Sequence, residues 1–542
     1  MFSRKALSVI IFLAFLPYSE AQVTNEFQTE QHSRSYLLDV RDFGATGSLQ
    51  QSCHETTMAI QTVVDHCARA GGGMVYVGPG EYVTGPINLR SNVHFYIESG
   101  ATLYGSRNAS DWPRGRRAIL FGDSLNNVTI SGRGTIDGNA EHAQFPYAEK
   151  HDDEIQYRID ALVNSSEEGM PFWSWTRPIY NLVYLRNCKD VLLTGVNLIN
   201  SPVWCVHFLA CDRIVVDGVY VYSSLINGVN SDGINPNGCR DVRISNCTIE
   251  TGDDCISIKS GGSGGIQRTC ENITITNCRL TSASSAVKIG DEIAEDVRHV
   301  LINNCVIRNS HRAFAFMIID GGTVSDVIIS NITIECSRHD WFWWGQGDAF
   351  YFKIARRNED SPIGRFENIL IKDVIAHVKG SSILNGHQEN PLSGIRLENV
   401  KLIMSEDPDA YFREAVHAIQ GRYLKDLTMK DLSVTWEEPG SEDWKSALFL
   451  EDVDGLELDG FIGKQAFTAT DEPAVVMKNV SNAIIRNCLA QEGTSEFLKF
   501  EGGNNRNFSL QNNDFSKAQS PFGPKDLSSS VITYMSGNHL PE

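Results

Sequence analysis

Short segments of alternating apolar and polar residues recur along most of the chain. Each segment runs apolar, any residue, apolar, any residue, Asn or Asp, two further residues and a final apolar residue. The clearest copies begin at Asp241, Asn272, His299, Asp326, Asn368, Gly394 and Asp426. Weaker copies begin near Val128, Val191, Ile214, Leu456, Ala483 and Phe508. From Val191 onward the first apolar positions lie mostly 23 to 32 residues apart, with one longer interval from Val327 to Ile369.

This repeat predicts an all-β protein built as a right-handed parallel β-helix. Alternation with a period of two is typical of strands, and a repeat of this length is typical of coils that stack on one another. Equivalent positions then lie about 4.8 Å apart on successive coils. Asn or Asp fits the bend because both tolerate the left-handed backbone conformation. A β-sandwich is the alternative, but it favours shorter and less regular spacing.

Two segments near the N-terminus differ from the repeat. Residues 1–21 combine a basic start, an apolar run and a small-residue cleavage site, which is typical of a secretory signal peptide. A buried N-terminal helix is the alternative there. Residues from about 36 to 110 are expected to cap the β-helix, and they include an amphipathic helix from His54 that stops at a glycine run.

The remaining residues, 22–542, are expected to form a single catalytic β-helix domain. Residues from about 138 to 180 are rich in polar and aromatic side chains and carry no repeat, so they predict an inserted loop. The coils from about 440 to 520 follow the repeat more weakly.

Composition narrows the choice of partners. The net charge of −20 argues against nucleic acid and anionic membranes as partners. The 13 cysteines include no CxxC pair or neighbouring His cluster that would indicate zinc. Cys247, Cys278 and Cys305 share one repeat position, and we expect a buried stack of small apolar thiols there.

Paired acids interrupt the repeat at one place. Asp253 and Asp254 stand directly before the short strand pattern of residues 255–258, although Asp is a poor strand former. Aligning Gly233, Cys255 and Ala286 puts Asp232 over Asp254 on successive coils. When three carboxyls lie close together, their interaction makes their pKa values differ. One group can then donate a proton while another acts as the base, as glycoside hydrolysis requires. A calcium site or solvated turn acids are the alternatives.

These segments resemble glycoside hydrolase family 28, the polygalacturonase-like enzymes on the pectin-lyase fold. The likeness covers nearly all of the chain after residue 21, including "VRDFGATG" from Val40 and "SPVWCVHFLACDRIVVDGV" from Ser201. The family's Asn-Thr-Asp stands here as residues 230–232, with Ser231 in place of Thr, and its Gly-Asp-Asp stands as residues 252–254. The interval of 21 residues from Asp232 to Asp253 fits the family.

The resemblance implies a mechanism without metal, cofactor or covalent intermediate. Asp253 would be the general acid, and Asp232 and Asp254 would hold and deprotonate the attacking water. The anomeric centre would be inverted, which needs carboxyl groups about 6.5–9.5 Å apart.

The substrate-binding positions depart from the family. Ser285 stands where polygalacturonases carry the His of Gly-His-Gly. Our alignment places Phe314 and Phe316 where the family's Arg-Ile-Lys grips a galacturonate carboxylate. Arg312, in a shifted register, and Lys288 are the nearby cations. Lys259 matches a lysine common in the family and is expected to steady the acids.

Aromatic segments are candidates for sugar contacts. Trp341, Trp343 and Trp344 lie in the longest interval between repeats and are candidate stacking residues, unless they pack the loop onto the β-helix. The insertion at about 138–180 is expected to wall one end of the cleft and favour exo attack.

Three functions follow for this sequence. The first is a secreted, extracellular or periplasmic, monomeric hydrolase of α-glycosidic bonds in pectin or a related polysaccharide, with little action on plain polygalacturonan. The second is a polysaccharide lyase on the same fold, which needs Ca²⁺ or a carboxylate-neutralising group. The third is a non-catalytic glycan-binding β-helix. The paired acids favour the first.

Overall fold

The computed structural model describes residues 37–112, 118–140, 179–225, 228, 230–262, 265–339, 345–406, 415–468, 470–524 and 527–542. The predicted signal peptide, most of the predicted insertion and Trp341, Trp343 and Trp344 lie outside these ranges. The chain from Tyr36 to Glu542 forms one compact unit. Within the described ranges, no helix is both long and apolar enough to span a bilayer.

One α-helix lies at the N-terminal end, as its amphipathic pattern predicts. Helix α1 (Cys53–Arg69) begins after Ser52, whose side chain accepts a hydrogen bond from the Glu55 backbone N–H. It buries a face that includes Ile60 and Val63, and it packs against the first strands. Two 3₁₀ helices span Val40–Phe43 and Ala109–Asp111.

Parallel strands make up almost all of the remaining regular structure. The first third of the chain contains β1 (Leu37–Asp39), β2 (Gly73–Val77), β3 (Gly80–Thr84), β4 (Ile87–Asn88), β5 (Val93–Ile97), β6 (Ala101–Gly105), β7 (Ala118–Asp123), β8 (Asn126–Gly132) and β9 (Thr135–Asp137). The middle contains β10 (Asn181–Arg186), β11 (Lys189–Thr194), β12 (Asn197–Ile199), β13 (Val206–Leu209), β14 (Asp212–Asp217), β15 (Tyr220–Tyr222), β16 (Ile234–Asn237), β17 (Arg240–Ser245), β18 (Thr248–Thr251), β19 (Ile256–Ile258), β20 (Cys270–Thr276), β21 (Arg279–Ser282), β22 (Ser285–Ile289), β23 (Val297–Asn303), β24 (Val306–Ser310) and β25 (Arg312–Ile318).

The C-terminal part continues the same pattern with longer strands. It contains β26 (Thr323–Cys336), β27 (Asp348–Ile354), β28 (Arg365–Val378), β29 (Ser382–Asn385), β30 (Leu392–Met404), β31 (Ile419–Trp436), β32 (Leu448–Asp459), β33 (Ile462–Gly463), β34 (Pro473–Arg486), β35 (Leu489–Ala490), β36 (Thr494–Glu501), β37 (Arg506–Gln511), β38 (Ala518–Gly523) and β39 (Ile532–Ser536).

Successive coils stack in parallel, with one strand on each of three faces in the middle of the chain and longer strands that span two faces from β26 onward, which confirms the predicted parallel β-helix. In the middle of the chain every third strand pairs in parallel, so that β10, β13, β16, β19, β22 and β25 form one face. The stacking extends beyond the predicted repeats, whose first and last copies begin near Val128 and Phe508. It already includes β2 paired with β5, and it continues to β39 paired with β37.

The bends between faces carry the predicted ladder of Asn and Asp. Asn246, Asn277, Asn304 and Asn331 have φ between 53° and 57°, in the left-handed region. The Asn331 amide donates to Asn304 Oδ1 at 3.2 Å, one coil away. Successive coils are therefore tied side chain to side chain where the backbone turns.

The core is a column of apolar side chains inside the coils. Phe314 stacks with Phe350 on the next coil, with ring centroids 6.2 Å apart. The predicted thiol stack is confirmed, because Cys247, Cys278 and Cys305 are buried and all 13 cysteines are free. Inward positions thus follow the alternation that the repeat predicts.

Candidate active site

The strand register aligns the acids on neighbouring coils. Ile234 pairs with Ile256, and the Gly233 N–H donates to the Asp254 carbonyl at 2.9 Å. Asp232 and Asp254, each two residues before the paired isoleucines, therefore occupy equivalent positions, as the sequence alignment predicts. The same row continues through Ser285 on the following coil, because the Cys255 N–H donates to the Ser285 carbonyl at 3.0 Å. We call the outward side of β13, β16, β19, β22 and β25 the acid-bearing face.

The turn before β16 fixes Asp232. Asn230 has φ 61° and accepts a hydrogen bond from the Trp204 indole N–H at 3.0 Å. The Ser231 hydroxyl is buried and bonds to Ser223 Oγ at 2.6 Å. Gly233 is required by the close approach of the next coil, since a Cβ there would lie 2.5 Å from the Cys255 carbonyl oxygen. The Asn-Ser-Asp-Gly sequence thus combines a tight turn with close stacking.

Asp253 is held by its backbone in a buried position. The hydroxyls of Thr251 and Ser282 both donate to its carbonyl oxygen, at 2.8 and 2.7 Å. Only 7% of the residue is exposed. Burial, with the nearby charge of Asp254, raises the pKa of Asp253 to about 7. This carboxyl therefore retains its proton near neutral pH.

Asp232 is buried more deeply, with 2% of the residue exposed. Burial first, and then the charge of Asp253, raise its pKa well above the ordinary value. Within the described part of the chain, its Oδ1 has no hydrogen-bond partner. An unpartnered buried oxygen costs free energy unless a ligand or water contacts it.

Asp254 has polar partners on the next coil. The Ser284 hydroxyl donates to its Oδ1 at 2.9 Å. The Lys288 ammonium lies 3.5 Å from its Oδ2 and 3.2 Å from Asp291 Oδ1. The three carboxyls therefore differ in surroundings, which is the condition for dividing acid and base roles among them.

Lys259 lies beside the acids but carries its own counter-ion. Its ammonium is 2.6 Å from Glu292 Oε2 and 4.6 Å from the centre of the Trp204 ring. Burial raises the pKa of Glu292, but the neighbouring Lys259 outweighs it and lowers that pKa to about 2. Lys259 thus lies near Asp232, and its charge is compensated by Glu292.

Arg312 lies in the same row as Ser285, with which it pairs in register. Its Nε donates to Asp348 Oδ2 at 2.9 Å, and its guanidinium lies 3.9 Å from the centre of the Tyr351 ring. Both members of the ion pair are buried. The charge of Arg312 is therefore compensated within the chain.

The placement of Phe314 and Phe316 as substrate contacts is wrong. Both side chains point into the core and are 0% exposed. They pair in register with Val287 and Ile289, whose side chains point into the core, so their own side chains also point inward. The outward residue between them is Ala315, which pairs with Lys288.

Sequence interpretation missed several residues on the acid-bearing face. His207 pairs in register with Asn235, and Trp204 contacts both His207 and Lys259. Tyr351 is the outward aromatic residue beyond Ala315. In the sequence, each of these residues is only a polar or aromatic residue at an outward position of a strand. No motif distinguishes such a position from other outward positions. Among the described residues, no group of three or more His, Cys, Asp or Glu side chains has an arrangement that could hold a metal ion.

The chain is a parallel β-helix with a row of acids on one face, and sequence comparison gives its family. Residues 67–415 match Glycosyl hydrolases family 28. The chain therefore belongs to this family and is a glycosyl hydrolase. Among the three functions that the sequence left open, family membership selects the hydrolase.

Similar proteins carry related names. A probable polygalacturonase from Vitis vinifera is 28% identical over 399 residues, covering 68% of this chain and 74% of that protein. An endo-polygalacturonase from Pectobacterium carotovorum subsp. carotovorum is 24% identical, covering 65% and 86%. An exo-poly-alpha-D-galacturonosidase from Dickeya chrysanthemi is 24% identical and covers 54% of each chain. The family 28 exopolygalacturonase structure from Yersinia enterocolitica has the same fold, with a TM-score of 0.62, 21% identity and 78% of each chain covered.

Proposed function

We propose that the protein hydrolyses α-glycosidic bonds of a pectic polysaccharide by a single displacement at the acid row. Asp253 protonates the leaving oxygen, and Asp232 and Asp254 orient the attacking water, which gives its proton to Asp254 beside the Lys288 ammonium. The observation that carries the proposal is the buried Asp253 carboxyl, whose pKa of about 7 keeps a proton available at neutral pH. The unpartnered Oδ1 of Asp232 is free to accept a hydrogen bond from the water.

The same enzyme is proposed to act weakly on plain polygalacturonan. Each cation near the acids is already paired: Lys259 with Glu292, Lys288 with Asp254 and Asp291, and Arg312 with Asp348. A substrate carboxylate would be desolvated there without a free positive partner. A neutral sugar, or a uronate whose carboxyl is esterified, avoids this cost.

Export and exo attack complete the proposal. The pattern of residues 1–21 supports export by a signal peptide. The long interruption of the repeat between Gly138 and Tyr180 supports a wall at one end of the cleft, and an exo-acting relative is consistent with it. Lys259, Ser285, Lys288 and Arg312 are proposed to border the bound sugar.

Replacing the acid tests the function. Asp253→Asn removes the proton but keeps the size of the side chain, and we expect turnover to fall about 10²–10⁴-fold. Reducing-end release from pectic substrates measures it, with an unchanged circular dichroism spectrum as the folding control. Hydrolysis within about threefold of the parent would place the acid elsewhere.

A further inference from the structure

Several buried polar atoms next to the acids lack partners within the chain. In the described ranges these are His207 Nε2, both polar atoms of the Asn235 amide, and Asn237 Oδ1. Asn235 is 0% exposed and His207 is 5% exposed. Each unsatisfied buried group costs about 1–3 kcal/mol. Such a cluster on one outward face indicates a site whose partner comes from outside the chain.

The cluster is continuous with the acid row. His207 and Asn235 pair in register on β13 and β16, and Asp232 lies three residues before Asn235. Trp204 contacts the His207 ring at 5.1 Å and lies under the Lys259 ammonium. The charge of Lys259 acts on both His207 and Asp232. The cluster therefore borders Asp232 on the N-terminal side of the acids.

His207 is held rigidly in its neutral form. Its ring stacks on Tyr184 at 4.8 Å with an interplanar angle of 9°. Burial, and then the nearby Lys259, lower the pKa of His207 to about 3. The imidazole thus offers one donor and one acceptor at physiological pH. It offers no positive charge to a carboxylate.

We propose that His207 and Asn235 form a neutral subsite that recognises the hydroxyl groups of an uncharged sugar ring on the N-terminal side of the acids. The amide and the imidazole each donate and accept, which matches hydroxyls, since hydroxyls also do both. A carboxylate only accepts, so it would leave the acceptor atoms of both side chains without a donor. The nearest cation, Lys259, is committed to Glu292. These two residues are specificity-determining, and the inference rests on the proposed function.

A matched pair of ligands separates charge from hydroxyl recognition. Tetragalacturonate and its fully methyl-esterified form share the same ring hydroxyls, and only the first is charged. Binding is measured by calorimetry in the Asp253→Asn background, which prevents turnover. We expect the esterified tetramer to bind more tightly than the acid. Tighter binding of the acid, or no binding of either tetramer, would overturn the proposal.

Two substitutions assign that binding to the subsite. Asn235→Leu removes both polar atoms at similar size, and His207→Phe keeps the stacking on Tyr184. Each is expected to weaken binding of the esterified tetramer about tenfold or more. His417→Phe is the matched control, because His417 is also a buried histidine stacked on an aromatic ring, Phe449, at 4.9 Å. Parental affinity in either test variant, or an equal loss in the control, contradicts the assignment.

A second readout keeps this inference distinct from the catalytic one. With Asp253 intact, Asn235→Leu removes the amide without adding a charge beside the acids, so it is expected to raise KM for the esterified substrate with little change in kcat. A loss confined to kcat would instead make Asn235 part of the chemistry and overturn the subsite. Turnover by Asp253→Asn would refute the acid assignment and leave the binding result standing.

Discussion

At the scale of single residues, burial gives the acids their chemistry. Asp253 is nearly enclosed, and its Oδ1 accepts a hydrogen bond from the Asp254 backbone N–H at 2.9 Å, which fixes the position of the carboxyl. Asp254, the next residue, has the Lys288 ammonium 3.5 Å away. Adjacent residues of one type therefore meet different surroundings, which divides proton donor from base.

This difference predicts how activity depends on pH. The raised pKa of Asp253, about 7, means that the folded protein holds the proton below that pH and loses it above. Activity that needs the protonated acid is therefore expected to fall as pH rises through about 7. A pH profile of kcat measures it.

Asn235→Leu supplies the control for this profile. Because it adds no charged group beside the acids, its alkaline limb should match that of the parent. A parental rate that stays level to pH 9 would exclude Asp253 as the acid at this pKa.

The sequence predicted the positions of individual site residues correctly where a motif fixed them. Asp232, Asp253 and Asp254 were aligned correctly because Gly233 and Cys255 mark one position on successive coils. Phe314 and Phe316 were misplaced because β25 is apolar on both sides, so its alternation does not reveal which phase faces inward. Asn235 was missed since a single amide in a strand has no spacing signal.

At the scale of elements, the bends hold the coils in register. The ladder places Asn or Asp in the left-handed conformation at successive bends, and amides donate across coils. The repeat predicted this arrangement, and it predicted α1 from its apolar period. It did not predict that the ladder begins as early as Asn92, which has φ 62° and accepts a hydrogen bond from the Asn127 amide on the next coil, because the apolar repeat is not evident around β2–β6.

One ladder position separates backbone from side-chain contributions. Asn331 has φ 57° and donates to Asn304. Asn331→Ala loses the hydrogen bond and strains the backbone by about 1–2 kcal/mol, whereas Asn331→Gly loses only the bond. We expect the alanine variant to melt at a lower temperature than the glycine variant. If the glycine variant melted at the lower temperature instead, a Cβ at position 331 would not strain the bend.

At the scale of the whole molecule, the proposed substrate preference rests on the compensated cations. The described acid-bearing face presents carboxyls, amides and aromatic rings, and its cations Lys259, Lys288 and Arg312 each have an acidic partner. The net charge of −20 adds a general repulsion of polyanions. Both effects disfavour an unesterified polygalacturonan.

Substrate choice is therefore the prediction at this scale. We expect faster release of reducing ends from esterified, branched or neutral-sugar pectic oligosaccharides than from polygalacturonan at equal concentration. Exo attack further predicts that early products are short, as sized by chromatography. Faster release of galacturonic acid from the plain polymer would show that a cation is available after all, and an early ladder of mid-length products would contradict the exo mode.

The central claim is direct attack by water at the acid row, and the configuration of the first product tests it most directly. Proton NMR recorded immediately after enzyme addition follows the anomeric signal of the new reducing end before it mutarotates. Single displacement on an α-linked substrate predicts that the β anomer forms first. Initial formation of the α anomer would require a covalent intermediate, and an unsaturated sugar signal would indicate elimination, so either result would contradict the account.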